Sequence, residues 1–318
     1  MTALSTAFAV GLITAAPAAA LSAFTVSGTA VFHPPPFPEQ LLPGYFTGDT
    51  VTNIAYPAAI FGMDASVAVA ATGIERAMEH RSGPVVIGGF SQGAIAVTYA
   101  MRAIMALPAD QRPATDELSF LTIGDPTTAS GILRFLDSIV PVIELTPVAM
   151  PQTPYDTVVI NGEYDGWGDF PDRPWNLASV VNALLGTVYV HGHYEMIPGG
   201  LDLSTADIST TVNSLGGQTT TYLIPTEKLP LLQPLRDIGV PEEFVAAIEV
   251  PLRVVVDAGY ARHDAPAAPV ISPAAAGPVS VAATPRRTPT TAAARGGTPG
   301  PRPTAARASR QRGTVTAS

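Results

Sequence analysis

Cysteine is absent from all 318 residues, which removes disulfides, thiol catalysis and cysteine metal sites together and leaves the compartment open. Positive charge is also scarce. Up to Asp264 the chain carries 10 basic against 26 acidic groups, a balance of −16, and no Lys or Arg occurs before Arg76. An acidic domain with few lysines excludes a nucleic-acid partner. No Gly-Lys-Ser/Thr follows Gly88-Gly89, so a phosphate-cradling loop is excluded, and neither H-E-x-x-H nor an internal repeat occurs. Histidine occurs five times, at residues 33, 80, 191, 193 and 263, so a mechanism needing an imidazole has few choices.

What is present is a hydrophobic content of 47%, enough for one large α/β core with extensions at both ends. Residues 1–24 read as a signal-like or anchor segment. Ala3 to Ala20 is apolar and built of small residues, and Ala18-Ala19-Ala20 offers an A-x-A cleavage site before Leu21, although a positive n-region is missing. The expected location is therefore secreted or associated with the cell envelope. Residues 265–318 are rich in Ala, Pro, Thr and Gly, and seven of the chain's 17 basic residues lie there, all arginine. Such a segment buries too little apolar surface to offset its chain entropy and reads as a disordered tail that could attract an anionic envelope. Residues 25–264 form the expected folded domain.

Within that domain, strand-like and helix-like stretches alternate, which predicts a mostly parallel, right-handed wound sheet with helices on both faces. Strands are expected at Thr25 to Phe32, Thr50 to Ala55, Pro84 to Phe90, Leu118 to Ile123, Thr157 to Asn161 and Thr219 to Ile224. Helices are expected from Ala65 to His80 with Asp64 as N-cap, from Gln92 to about Leu107 and from about Trp175 to Leu185. Thr187 to Val190 reads as a short extended run into His191. Leu133 to Met150, broken by Pro141 and Pro147, reads as a short helix plus a crossing loop. Leu229 to Tyr260, broken by four prolines, gives a C-terminal helical cap that either covers the site or completes the core.

The chain is organised around Gly89-Phe90-Ser91-Gln92-Gly93, set between an apolar strand and a helix. A G-x-S-x-G turn holds its serine in a strained conformation, and the flanking glycines let strand and helix backbones meet without a Cβ clash. Ser91 is the candidate nucleophile. A serine hydroxyl needs a base to take its proton and an acid to orient the base, and in this arrangement the chain order is serine, acid, histidine. His191 and His193 follow Ser91. Strand parity does not separate them, and His191, nearer the strand end, is the preferred base with His193 as the alternative. Asp165, four residues past a strand and 26 before His191, is the preferred acid. Asp169 and Asp125 are its rivals, the first able to bond loop amides and the second to bond its own turn. The Gln92 amide is one oxyanion donor. The second is expected from the His33 or Phe37 amide or from a side chain, because Pro34, Pro35 and Pro36 have no N–H. His191-x-His193 with Asp165, Asp169 and Asp172 supplies potential metal ligands, but without a recognised spacing no metal and no cofactor are expected.

Gly-Phe-Ser-Gln-Gly at 89–93, Tyr-Asp-Gly-Trp-Gly-Asp-Phe-Pro at 164–171, the segment from Asn176 into Tyr189-Val190-His191-x-x-Tyr194, and Thr220 to Thr226 with Leu229-Pro230-Leu231-Leu232 resemble the mycobacterial PE-PPE C-terminal domain over about residues 27–262. The resemblance implies a cutinase-like α/β-hydrolase with Ser91, Asp165 and His191 as its triad. It implies a serine esterase or acyltransferase working through an acyl-serine intermediate on fatty acyl esters, trehalose glycolipids among them. A helical PE or PPE domain does not precede the hydrolase stretch, so the export route of such proteins is not among the implied properties. The alternative reading is a non-catalytic envelope protein that keeps the fold for lipid binding.

Overall fold

The computed structural model describes residues 22–31 and 34–264. The N-terminal signal-like run, His33 and the expected tail lie outside them. Seven strands form one sheet: β1 (Ser22–Val26), β2 (Thr50–Asn53), β3 (Val85–Phe90), β4 (Leu118–Ile123), β5 (Asp156–Gly162), β6 (Asp207–Val212) and β7 (Gln218–Ile224). Their order is β2-β1-β3-β4-β5-β7-β6, parallel throughout except for the antiparallel edge strand β6. The helices are α1 (Pro38–Leu41), α2 (Met63–Glu79), α3 (Gln92–Ala106), α4 (Leu177–Tyr189), α5 (Gln233–Asp237) and α6 (Glu242–Asp257).

Both faces of the sheet are covered, which is why β3, with the sequence VVIGGF, is buried along its whole length. Successive side chains of a strand point to opposite faces, and the core divides accordingly. Phe24, Val85, Ile87, Leu118 and Phe120 meet Val67 and Ile74 of α2 and Ile95 and Met101 of α3. Ala23, Val86, Phe90, Leu121 and Ile123 meet Leu41, Phe46, Val190 and Tyr194 on the other side. The carboxyl ends of β3, β4 and β5 therefore lie side by side, which is where open α/β sheets assemble their sites.

Four expectations change. The first strand begins at Ser22, ahead of the expected boundary at residue 25, and ends at Val26 rather than Phe32. The chain must leave the sheet there, because Gly28 passes against Phe90 and Ser91. Asp64 is not the cap of α2. It lies inside the first turn, and its carboxylate instead accepts bonds from the Thr146 amide at 2.9 Å and the Thr146 hydroxyl at 2.6 Å. Thr187 to Val190 is the end of α4 rather than an extended run, since Asn176 caps that helix through the Ser179 amide and it runs on to Tyr189. β6 was not expected, because its residues are exposed along their whole length and offer no apolar alternation. At the C-terminus, Leu229, Val256 and Tyr260 pack with Tyr164, so the last helical segment completes the core behind the loop that carries Asp165.

Candidate functional site

Ser91 follows β3 directly and precedes α3, with φ 53° and ψ −115°. A positive φ on a residue with a Cβ costs on the order of 1 to 3 kcal/mol and persists only where packing enforces it. Here the enforcement is visible. A Cβ on Gly89 would lie 2.4 Å from the Gly93 carbonyl oxygen, and one on Gly93 would lie 2.4 Å from that of Val26. Strand, turn and helix are thus closer than any side chain permits, and the turn projects Ser91 from the sheet end.

His191 opens a 3-10 turn over His191–Met196, immediately after α4. Its Nε2 lies 2.8 Å from Ser91 Oγ, and its Nδ1 lies 2.8 Å from Asp165 Oδ2. The imidazole stacks on Phe90, and the left-handed Gly124 at the end of β4 leaves the space it fills. In a 3-10 helix residues three apart eclipse one another. Tyr194 therefore lies on the same side as His191, and its hydroxyl donates to the same Asp165 oxygen at 2.7 Å while accepting from the Gly162 amide at 2.5 Å.

Asp165 is fully buried, three residues past the end of β5. Burial alone would raise its pKa. The His191 imidazole, the Tyr194 hydroxyl and the Trp167 amide, which donates to Oδ1 at 2.8 Å, outweigh that cost and hold the carboxyl below its usual value. Asp165 is thereby kept ionised and aimed at Nδ1, which fixes the tautomer leaving Nε2 to face the hydroxyl. Burial pushes Tyr194 well above the ordinary phenol value, with the Asp165 charge adding to it, so the tyrosine remains a donor.

The rival residues go elsewhere. His193 bonds the Val188 carbonyl through Nδ1 at 3.0 Å and stacks on Tyr189. Asp169 accepts from the Tyr164 amide at 2.8 Å and pairs with Arg262 at 2.8 Å, tying the acid loop to the C-terminal segment. Asp125 accepts from the amide and hydroxyl of Thr127, as a turn residue does. Among the described residues no His, Asp and Glu group is placed to hold a metal ion.

The Gln92 amide opens α3, where the first N–H groups have no partner inside the helix. Of the other expected donors only the Phe37 amide can be placed. His33 lies outside the described residues, and the Phe37 amide is already taken by Gln40 Oε1 at 2.8 Å. The loop that reaches the serine is Gly28-Thr29, since a Cβ on Gly28 would lie 3.4 Å from that of Ser91. Sequence reasoning missed this approach because it carried the first strand past it.

Taken together, a hydroxyl, an imidazole and a buried carboxylate form one hydrogen-bonded line beside a helix N-terminus, an arrangement suited to acyl transfer through the serine. Comparison with known proteins matches residues 38–261 to the PE-PPE domain. In Mycobacterium tuberculosis, a protein named esterase PE16 is 41% identical over 62% of this chain and 37% of its own length. Diacyltrehalose acyltransferase Chp2 is 38% identical over 60% of this chain and 55% of its own. SL1278 acyltransferase Chp1 is 29% identical over 79% and 66% respectively. The chain thus spans between 37% and 66% of the length of these relatives.

Proposed function

Since this chain belongs to the PE-PPE domain family, we propose that it is a serine-dependent hydrolase or acyltransferase of fatty acyl esters. Ser91 is its nucleophile, His191 its general base and Asp165 the acid that orients the base. The observation that carries the reading is the unbroken line of contacts from Ser91 through His191 to Asp165, 2.8 Å at each step. His191 Nε2 takes the Ser91 proton as Oγ attacks the ester carbonyl, and the resulting imidazolium is stabilised by Asp165. The tetrahedral oxyanion is held by the Gln92 amide. Collapse expels the alcohol, which receives the proton from His191, and leaves an acyl-Ser91. Water or an acceptor hydroxyl then repeats the sequence in reverse, releasing a fatty acid or a new ester.

An acyl ester is the substrate class the named relatives favour. Beside Tyr194, which packs against His191, a hollow of about 380 Å³ is lined by Pro34, Pro36, Leu41, Met196 and Ile197 with Gln40 at its edge. Its walls mix apolar side chains with polar groups, a lining that accommodates an acyl ester with a polar head. The relative named diacyltrehalose acyltransferase makes glycolipid esters the leading substrate class. We also place the protein outside the cytoplasm, because cleavage before Leu21 leaves β1, which starts at Ser22, intact. A reporter active only outside the cytoplasm, fused to residues 1–30, checks this; a silent fusion rejects export.

The decisive experiment compares the parent with Ser91→Ala on a chromogenic medium-chain acyl ester, alongside labelling by a fluorophosphonate. Turnover and labelling are both expected to vanish in the variant while its circular dichroism is unchanged. Full turnover without the hydroxyl would reject the reading. A parent protein that neither labels nor turns over ester would point instead to the lipid-binding role.

A further inference from the structure

Tyr56 lies three residues beyond β2 and reaches both the Gly28 loop and Gln92 of the serine turn. Its hydroxyl is 2.8 Å from the Ser27 carbonyl oxygen, 2.8 Å from that of Gly28 and 3.2 Å from Gln92 Oε1. Gln92 is itself fixed, since its Nε2 donates to the Ala59 carbonyl at 2.9 Å. The same loop holds the Ala30 amide through the Ala58 carbonyl at 2.8 Å, with Ala58 at a strained φ of 52°. Loops from β1, β2 and β3 therefore meet at one phenol, beside the residue that follows the candidate nucleophile.

We propose that Tyr56 is a positioning residue for the oxyanion hole, aiming the Gly28 and Thr29 N–H groups at the substrate oxygen opposite the Gln92 amide. The inference rests on the acyl-serine reading given above and adds the residue that would set its second donor. In a planar trans peptide the C=O and the following N–H point in opposite directions. When the Ser27 and Gly28 carbonyls are both drawn toward Tyr56, the amides of Gly28 and Thr29 must face away from it. The loop runs beside Ser91, close enough that a Cβ on Gly28 would be 2.8 Å from the Phe90 ring and 3.4 Å from the Ser91 Cβ. The Ala30 amide, already bonded to Ala58, is not available for the task. Tyr56 has one proton for three acceptors, of which the two carbonyls are the nearer, so the bond is shared among them, and burial raises its pKa and keeps that proton in place. Donors held rigidly before the charge develops cost no reorganisation during reaction, which is the source of oxyanion-hole catalysis.

The test is Tyr56→Phe, which deletes the hydroxyl and keeps the ring. With a chromogenic acyl ester, kcat is expected to fall on the order of 10- to 100-fold, with KM within about twofold of the parent. A trifluoromethyl ketone of the same chain length, which forms a tetrahedral adduct on the serine, should lose affinity by a similar factor. The corresponding alcohol, which forms no adduct, should bind as before. A kcat within about twofold of the parent and intact ketone binding would overturn the proposal. So would a uniform loss of ketone and alcohol binding accompanied by a lowered melting temperature, because that pattern marks a merely structural tyrosine. If instead Ser91→Ala retained full turnover, the acyl-serine reading itself would fail, an outcome separable from either result at Tyr56.

Discussion

A methyl group added at residue 124 would sit 2.7 Å from His191 Cε1 and 2.9 Å from Nδ1, and the backbone there has a φ of +56° that a side chain strains. The imidazole would have to move, and a displacement near 1 Å costs about 100-fold in a reaction that depends on alignment. Gly124→Ala is therefore expected to lower kcat by roughly that factor, read from steady-state kinetics on an acyl ester. Tyr194→Phe removes the hydroxyl that supports Asp165 and leaves the Gly162 amide without its acceptor. A hydrogen bond to a charged group is worth about 1.5 to 3 kcal/mol, so kcat should fall by about 10-fold or more, while Asp165, freed of one donor, becomes easier to protonate. The acidic limb of the pH–rate profile should move upward in that variant. At this scale Ser91 was legible from its pattern and Asp165 from its loop. Tyr56 and Gly124 were not, because neither stands in a recognisable motif and the residues they touch are distant in sequence.

Elements deliver these residues, and α4 matters most because its end fixes His191. The helix starts where the Asn176 side chain accepts from the Ser179 amide, and the same side chain donates to the Val255 carbonyl at 2.7 Å. Removing such a cap typically costs about 1 kcal/mol. Asn176→Ala is expected to lower the urea midpoint by at least that equivalent, with the m-value unchanged. The helix-forming apolar stripe of α2, the strands β4 and β5 and the helix α3 were all readable, since each couples a clear period to a clear stop. The stretch before His191 was misread as extended because Val188-Tyr189-Val190 favours strands locally, and packing of α4 against the acid loop overrides it. A Cβ on Gly186 would meet the Tyr164 carbonyl at 1.8 Å, which shows how closely helix and loop approach.

The whole molecule carries a pH signature at Asp169. Burial pushes this carboxyl up to about 6 against the opposing pull of Arg262 and the Tyr164 amide. Its folded pKa lies above the unfolded value, so its favourable share of stability is complete below about pH 4 and is lost as pH rises to about 6 and beyond. The difference amounts to something on the order of 3 kcal/mol. Asp165 runs the other way, since its lowered pKa gives stability that is present above the ordinary carboxylate range and lost only in stronger acid. Urea unfolding of parent and Asp169→Asn between pH 4 and 7 should show the parent losing stability relative to the variant as pH rises. Parallel curves would show that Asp169 titrates in the folded state as it does in the unfolded chain.

The wound parallel sheet and the serine turn were readable along the chain, because period, glycine placement and the strand–turn–helix order are local properties. The same local reading excluded cysteine chemistry and narrowed the histidine to a pair. Folding separated His191 from His193, brought the carboxylate of Asp165 to the imidazole and laid Gly28 against the serine turn. Those choices depend on which strands lie adjacent and how closely their loops approach. Contacts between residues a hundred positions apart in the chain are fixed by packing, which no local pattern encodes.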